Sequence, residues 1–312
     1  MMIDQVALLP PVRSTAPGPL PAGVPAALAR GLLEQRRLAA DSRQTYWLYR
    51  PPGGGAGAPV LVSVHGISRN AAVHAQSLRA LAAAYDMVVV APLFARDRFP
   101  DYQRLGRVRR GERADLMLLA ILGEVRRLTS ARTGRIFLTG FSGGAQFAHR
   151  FAFAHPARVA ALAVCAAGWY SFPDTEARFP RGLRLADGLP GVTFEPARFL
   201  RIPAIALVGA RDIRQDGSLN MALGIVSQQG SNRVERAARW IAALQEAARA
   251  HGLATRYELA LLPRVRHSYA QAVAANRGDL PARLFGYFFG PQPADGATAA
   301  VGRTVPALGV AA

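Results

Sequence analysis

Gly140-Phe141-Ser142-Gly143-Gly144 sets a serine between glycines placed two residues before it and two after. An apolar run, Arg135–Thr139 (RIFLT), leads directly into it, and a helix-like run, Ala145–Ala154 (AQFAHRFAFA), leaves it. A G-x-S-x-G between a strand and a helix is the setting in which a serine is held on a sharp turn as a nucleophile. The glycines are needed where neighbouring chains come too close for a Cβ. The turn also sets the hydroxyl at a helix N-terminus, where backbone amides favour negative charge. Ser142 is therefore the candidate nucleophile and the Gly143 amide a candidate oxyanion donor. The alternative is a glycine-rich turn whose serine caps the helix.

A serine hydroxyl attacks only when a base takes its proton. Of six histidines, His74, His149 and His155 fall in or beside helix-like runs, and His251 precedes Gly252 at a helix end. His267 lies in the loop PRVRHSY, directly after a strand-like run ending at Leu262. In a parallel sheet that puts it on the same carboxyl edge as Ser142, which makes it the candidate base. An acid is needed to fix its tautomer, and Ala204–Val208 ends in Gly209-Ala210-Arg211-Asp212. Asp212 fits the serine, acid, histidine order; Asp216, four residues on, is the competing choice. Either aspartate could instead cap a turn. A further strand-like run, Val60–Val64, enters His65-Gly66-Ile67-Ser68-Arg69-Asn70. The Ile67 amide there is the expected second oxyanion donor, with Gly66 allowing close approach and His65 holding the loop. Trp169 and Tyr170, on the segment after the next strand, are candidate substrate-binding aromatics or else loop anchors.

These positions require a particular scaffold. Strands are expected at Thr45–Arg50, Val60–Val64, Met87–Ala91, Arg135–Thr139, Arg158–Ala166, Ala204–Val208 and Thr255–Leu262. Helices are expected at Ala71–Ala84, Glu112–Leu128, Ala145–Ala154, Arg233–Ala250 and near Tyr269–Ala275. Doubly apolar strands alternating with helices predict an α/β domain: a mostly parallel sheet covered on both faces. A Pro/Gly-bearing insert, Gly168–Arg201, interrupts the alternation as a candidate cap or binding loop. Residues 1–42 are expected to be irregular with a possible short helix at Ala26–Ala40, and 291–312 to be a disordered tail.

Composition excludes several functions. The 312 residues are 51% hydrophobic, which fits a globular chain of one large or two small domains. One cysteine, Cys165, permits no internal disulfide and sits in an apolar run as a core residue. No segment approaches the ~20 apolar residues of a spanning helix, and no basic leader precedes Val6–Leu9, so a cytoplasmic location is expected. All 38 basic residues are arginines against 20 acids, a net charge of +18. That excess either serves a polyanion or reflects compositional bias. The densest stretch, from Arg96 to Arg113, has no nucleic-acid motif, so no specific nucleic-acid partner is expected. A phosphate-binding G-x-x-x-x-G-K cannot occur without lysine. Gly53–Ala58 fits G-x-G-x-x-A only on the wrong side of a strand, and no histidine pair has metal-ligand spacing. No cofactor and no metal are expected.

With HGISRN, GFSGGAQFAHRF, AGWY, VGARD and the late histidine in place, the chain resembles the α/β-hydrolase superfamily over roughly 43–290. Within it, the chain is similar to the polyhydroxybutyrate-depolymerase/feruloyl-esterase-like branch and to dienelactone hydrolases. The resemblance implies a serine hydrolase cleaving carboxylic esters through an acyl-enzyme, including hydroxyalkanoate oligomers. The extra-glycine HGG form, disulfides and a polymer-binding domain are missing, which favours small esters or oligoesters over extracellular polymer. Another acyl-transfer enzyme with the same residues (a peptidase, thioesterase or acyltransferase) is the alternative, as is an inactive fold whose arginines bind a polyanion.

Overall fold

The computed structural model describes residues 31–185 and 189–290. Eight strands run in chain order: β1 (Leu32–Leu38), β2 (Asp41–Arg50), β3 (Pro59–Val64), β4 (Val88–Pro92), β5 (Arg132–Phe141), β6 (Val159–Cys165), β7 (Ala204–Gly209) and β8 (Tyr257–Leu262). They form one sheet in the order β1-β2-β4-β3-β5-β6-β7-β8. The β1–β2 and β2–β4 pairs are antiparallel, and every pair from β4 through β8 is parallel.

The helices are α1 (Ala71–Ala84), α2 (Ala114–Thr129), α3 (Gly143–Ala154), α4 (Pro196–Phe199), α5 (Leu223–Gln229), α6 (Arg233–Ala250), α7 (Tyr269–Val273) and α8 (Leu280–Phe289). Strand alternation divides the apolar side chains between two layers. Val60, Val62, Val64, Leu162, Val164, Ala206 and Val208 face a core shared with Leu118, Ile121 and Leu122 of α2, Phe147 and Phe151 of α3, and Trp240, Ile241 and Leu244 of α6. Leu61, Val89, Ala163, Cys165, Ile205 and Leu207 face the opposite core, with Leu78 of α1 and Leu284 and Phe285 of α8. Both faces of the strands are covered, which is why they read as continuous apolar runs. Among the described residues, no helix is long and apolar enough to cross a membrane.

The expected helix at Ala26–Ala40 is corrected where it is described. Leu32–Leu38 is an edge strand, paired in register from Leu32↔Arg50 to Arg37↔Thr45. LLEQRRL has good helix formers, but its ladder with β2 overrides that local preference. Glu34 then lies against Arg36 and Arg50, each 3.2 Å away. The sheet thus begins before residue 43; residues 1–30 and the expected tail at 291–312 lie outside the described residues.

Among its described residues, the insert between β6 and β7 is irregular apart from α4 and one bridge between Arg178 and Arg184. Four arginines of the arginine-dense stretch are tied down by acids. Arg98 reaches Asp41 and Glu112, Arg104 and Arg107 share Asp101, and Arg113 holds Asp115.

Candidate active site

β5 ends at Phe141 and α3 begins at Gly143, so Ser142 alone makes the turn. Its backbone lies at φ 53°, ψ −111°, a region costing about 1–3 kcal/mol for a residue with a Cβ. The turn is held because the Ser142 amide donates to the Cys165 carbonyl of β6 at 2.8 Å. The flanking glycines have separate reasons. A Cβ on Gly140 would sit 2.3 Å from the Gly144 backbone, and one on Gly144 would sit 2.0 Å from the Val64 carbonyl oxygen of β3. α3 can therefore pack directly onto β3 and β5 only with glycine at both positions.

Ser142 Oγ lies 3.0 Å from His267 Nε2, and His267 Nδ1 lies 2.8 Å from Asp212 Oδ2. The carboxylate fixes Nδ1 as the donor, which leaves Nε2 as acceptor for the serine hydroxyl. Asp212 is buried, and its other oxygen accepts from the Arg233 guanidinium at 3.1 Å. Asp216 is not on the imidazole; it is half-exposed and binds Arg233 and Ser218. Partial burial pushes its carboxyl up, but bonds from Ser218 and Arg233 outweigh this and bring it to about 2. The two aspartates left open by the sequence are thus placed differently, Asp212 on the histidine and Asp216 behind the arginine.

A cavity of about 290 Å³ opens beside Ser142, with Ile67, Ser218, His267 and Tyr269 among its walls. Ile67 is exposed on the loop after β3. Gly143 is the first residue of α3, and amides at that position have no acceptor within the helix. A Cβ added to Gly143 would come within 3.3 Å of the Ile67 side chain, so the two loops meet there. His65 holds this region. Nδ1 donates to the Gly66 carbonyl at 2.8 Å and Nε2 accepts from the Phe94 amide at 3.0 Å. Burial keeps that ring neutral, lowering it to about 4, with the Arg69 cation assisting against the opposing Gly66 bond.

Trp169 and Tyr170 are not among the residues that wall the cavity beside Ser142; the structure places both in packing, the loop-anchor alternative of the sequence. Tyr170 is wholly buried, stacked on Trp240 at 4.7 Å, with its backbone amide and carbonyl bonded to the Gln229 side chain. Trp169 is buried, with the guanidinium groups of Arg150 and Arg104 4.4 and 5.4 Å from the centre of its ring. The insert is drawn toward α3 and α6 instead. His149 Nε2 accepts from the Ser171 amide, and Trp240 donates to the Ser171 carbonyl. Burial, then the neighbouring Arg150 charge, holds His149 well below the usual histidine range.

Several contacts around the site have no local signal in the sequence. Phe141 stacks on the His267 ring at 5.2 Å and meets Tyr269, which stacks on His74 at 3.8 Å. The Tyr102 hydroxyl donates to the His65 carbonyl and would strike a Cβ on Gly143. Arg233 had a signal. It is the first residue of α6, the helix end where a cation is disfavoured. Asp212 and Asp216 supply the opposing charge.

No protein-family model and no curated protein matches the chain. Solved structures do. It is similar to the poly(3-hydroxybutyrate) depolymerase LpqC of Bordetella parapertussis, with 27% identity and TM-score 0.64 over 80% of this chain and 85% of that one. It is also similar to poly(aspartic acid) hydrolase-1 of Sphingomonas sp. KT-1, with 22% identity and TM-score 0.63 over 76% and 92%. An S-formylglutathione hydrolase of Agrobacterium tumefaciens superposes with TM-score 0.52 at 15% identity, over 81% and 91%. The chain has the α/β-hydrolase fold.

Proposed function

We propose that the chain is a serine hydrolase that cleaves carboxylic esters through an acyl-enzyme on Ser142. The observation that carries this is the continuous hydrogen-bonded series from Ser142 Oγ through His267 to buried Asp212, built on a strained turn. Strain of this kind persists only where the surroundings over-determine it, and function is the common reason.

In the proposed reaction Ser142 Oγ attacks the ester carbonyl while its proton passes to His267 Nε2. Asp212 stabilises the imidazolium without taking its proton. The carbonyl oxygen becomes an anion facing the Gly143 and Ile67 amides. Collapse of that adduct expels the alcohol, which takes the proton from His267. Water then attacks the acyl-enzyme, with His267 as base again, releasing the acid and restoring the Ser142 hydroxyl. Ile67 and Tyr269 give the cavity apolar and aromatic surface beside the reacting atoms. Together with the likeness to a poly(3-hydroxybutyrate) depolymerase, this supports short aliphatic esters and hydroxyalkanoate oligomers as the substrate class.

A panel of p-nitrophenyl esters of increasing acyl length, 3-hydroxybutyrate oligomers and a peptide anilide tests the reading. Ester and oligomer turnover that disappears in Ser142→Ala is the expected result. Turnover of the anilide alone would replace ester hydrolysis with peptidase chemistry.

A further inference from the structure

A second cavity of about 290 Å³ is walled by Arg211, Arg264, Asn276 and Arg277. Arg211 follows β7 and immediately precedes Asp212. Arg264 lies on the loop after β8, and Asn276 and Arg277 follow α7. No carboxylate lines this cavity, and none of its three arginines forms an ion pair among the described residues. Arg98, Arg104, Arg107 and Arg113, by contrast, are each held by an aspartate or glutamate. Like charges brought to one concavity repel, and their field is relieved by a multivalent counter-ion.

The four wall residues are exposed, and the backbone ties together the loops that carry them. The Arg211 amide donates to the Val265 carbonyl at 2.9 Å, joining the loop of the acid to the loop of the histidine. A Cβ on Gly209 would lie 2.3 Å from that same carbonyl oxygen, so the approach depends on glycine. Arg264 has a left-handed backbone at φ 58°, and its guanidinium donates to the Asn276 carbonyl at 3.3 Å. Guanidinium groups present planar forks that match the oxygens of phosphates and carboxylates. Three of them, with an amide beside them, suit a ligand carrying at least two negative charges.

We propose that Arg211, Arg264 and Arg277, with Asn276, form a binding site for a small multivalent oxyanion, a diphosphate or a polycarboxylate. The site is separate from the cavity at Ser142, and the proposal does not rest on the hydrolase reading. The test is calorimetric titration of the full chain with inorganic pyrophosphate and, separately, with citrate, at constant ionic strength set by sodium chloride. Wild type is compared with Arg264→Ala, Arg277→Ala, Arg277→Gln and a control, Arg109→Ala, which removes an exposed arginine elsewhere that has no carboxylate partner among the described residues. Thermal unfolding of each variant confirms that it is folded. Saturable one-to-one binding, weakened at least tenfold by the Arg264 and Arg277 substitutions and unchanged in the control, is expected. Binding of pyrophosphate alone assigns a phosphate ligand, citrate alone a carboxylate, and both a site that recognises charge; each supports the proposal. Absence of saturable binding to either probe overturns it, as does equal affinity in wild type and the cavity variants, or an equal loss in the control.

Discussion

The turn at Ser142 and the insert at 168–201 both carry residues with the right chemistry, yet of the two, among the described residues, only the turn walls the cavity. Gly140 and Gly144 are fixed by contacts with backbone atoms, which no side-chain rearrangement can relieve. Trp169 and Tyr170 are large amphipathic rings, and such rings serve equally as pocket walls or as packing. Here Tyr170 is core, against Trp240 and His149. Steric requirements of a backbone are written locally; the destination of an aromatic is decided by the rest of the molecule.

The largest expected effect lies on the turn's side of that contrast. Asp212→Asn should lower kcat about 10⁴-fold by favouring the wrong imidazole tautomer, whereas Asp216→Asn should change ester turnover less than about tenfold. Steady-state kinetics decide between them, and a larger loss in Asp216→Asn would move the acid. Next, Gly144→Ala should prevent a stable fold or cost more than about 4 kcal/mol, as a forced backbone displacement does. Urea unfolding of this variant near wild-type values would remove the steric account of the turn.

On the insert's side, Trp169→Ala should cost about 3–5 kcal/mol of stability while leaving KM for short esters within about twofold, measured by denaturation and kinetics on the folded fraction. A KM rise with unchanged stability would return Trp169 to the substrate pocket.

Acid provides a smaller test of what joins the two regions. His65 steadies the loop beside Ser142, and His149 ties α3 to the insert. Both are held neutral by burial, His65 at about 4 against an ordinary 6.5. Above about pH 6.5 folded and unfolded chains bind no proton at these rings. As pH falls below that value the unfolded chain protonates first, so stability drops and keeps dropping until the folded pKa is passed. The His65 difference alone is worth roughly 3 kcal/mol below pH 4. Urea midpoints from pH 7 to pH 4 should therefore fall steadily, and a flat profile would contradict neutral buried rings.

Much of this was legible beforehand because parallel strands declare themselves on both faces. Val60–Val64 and Ala204–Val208 are apolar at every position but Ser63, since alternate residues serve different cores. Ser142, Asp212 and His267 could be placed at one edge once their strands were known. β1 was illegible because LLEQRRL has local helix propensity and becomes a strand only through its partner. Arg233 and Tyr269 were missed for a related reason. Each gains its place through contacts across the fold, with Asp212 in one case and with Phe141 and His74 in the other. Only the arginine at a helix N-terminus left a local trace.

The central claim is that Ser142 is the activated nucleophile. Reaction with a fluorophosphonate followed by intact-mass and peptide mass spectrometry tests it most directly. A single adduct on Ser142, absent in Ser142→Ala and formed at least 100-fold more slowly in His267→Ala, is the predicted result. An unlabelled Ser142 in folded wild-type protein, or ester hydrolysis at the wild-type rate by Ser142→Ala, would contradict it.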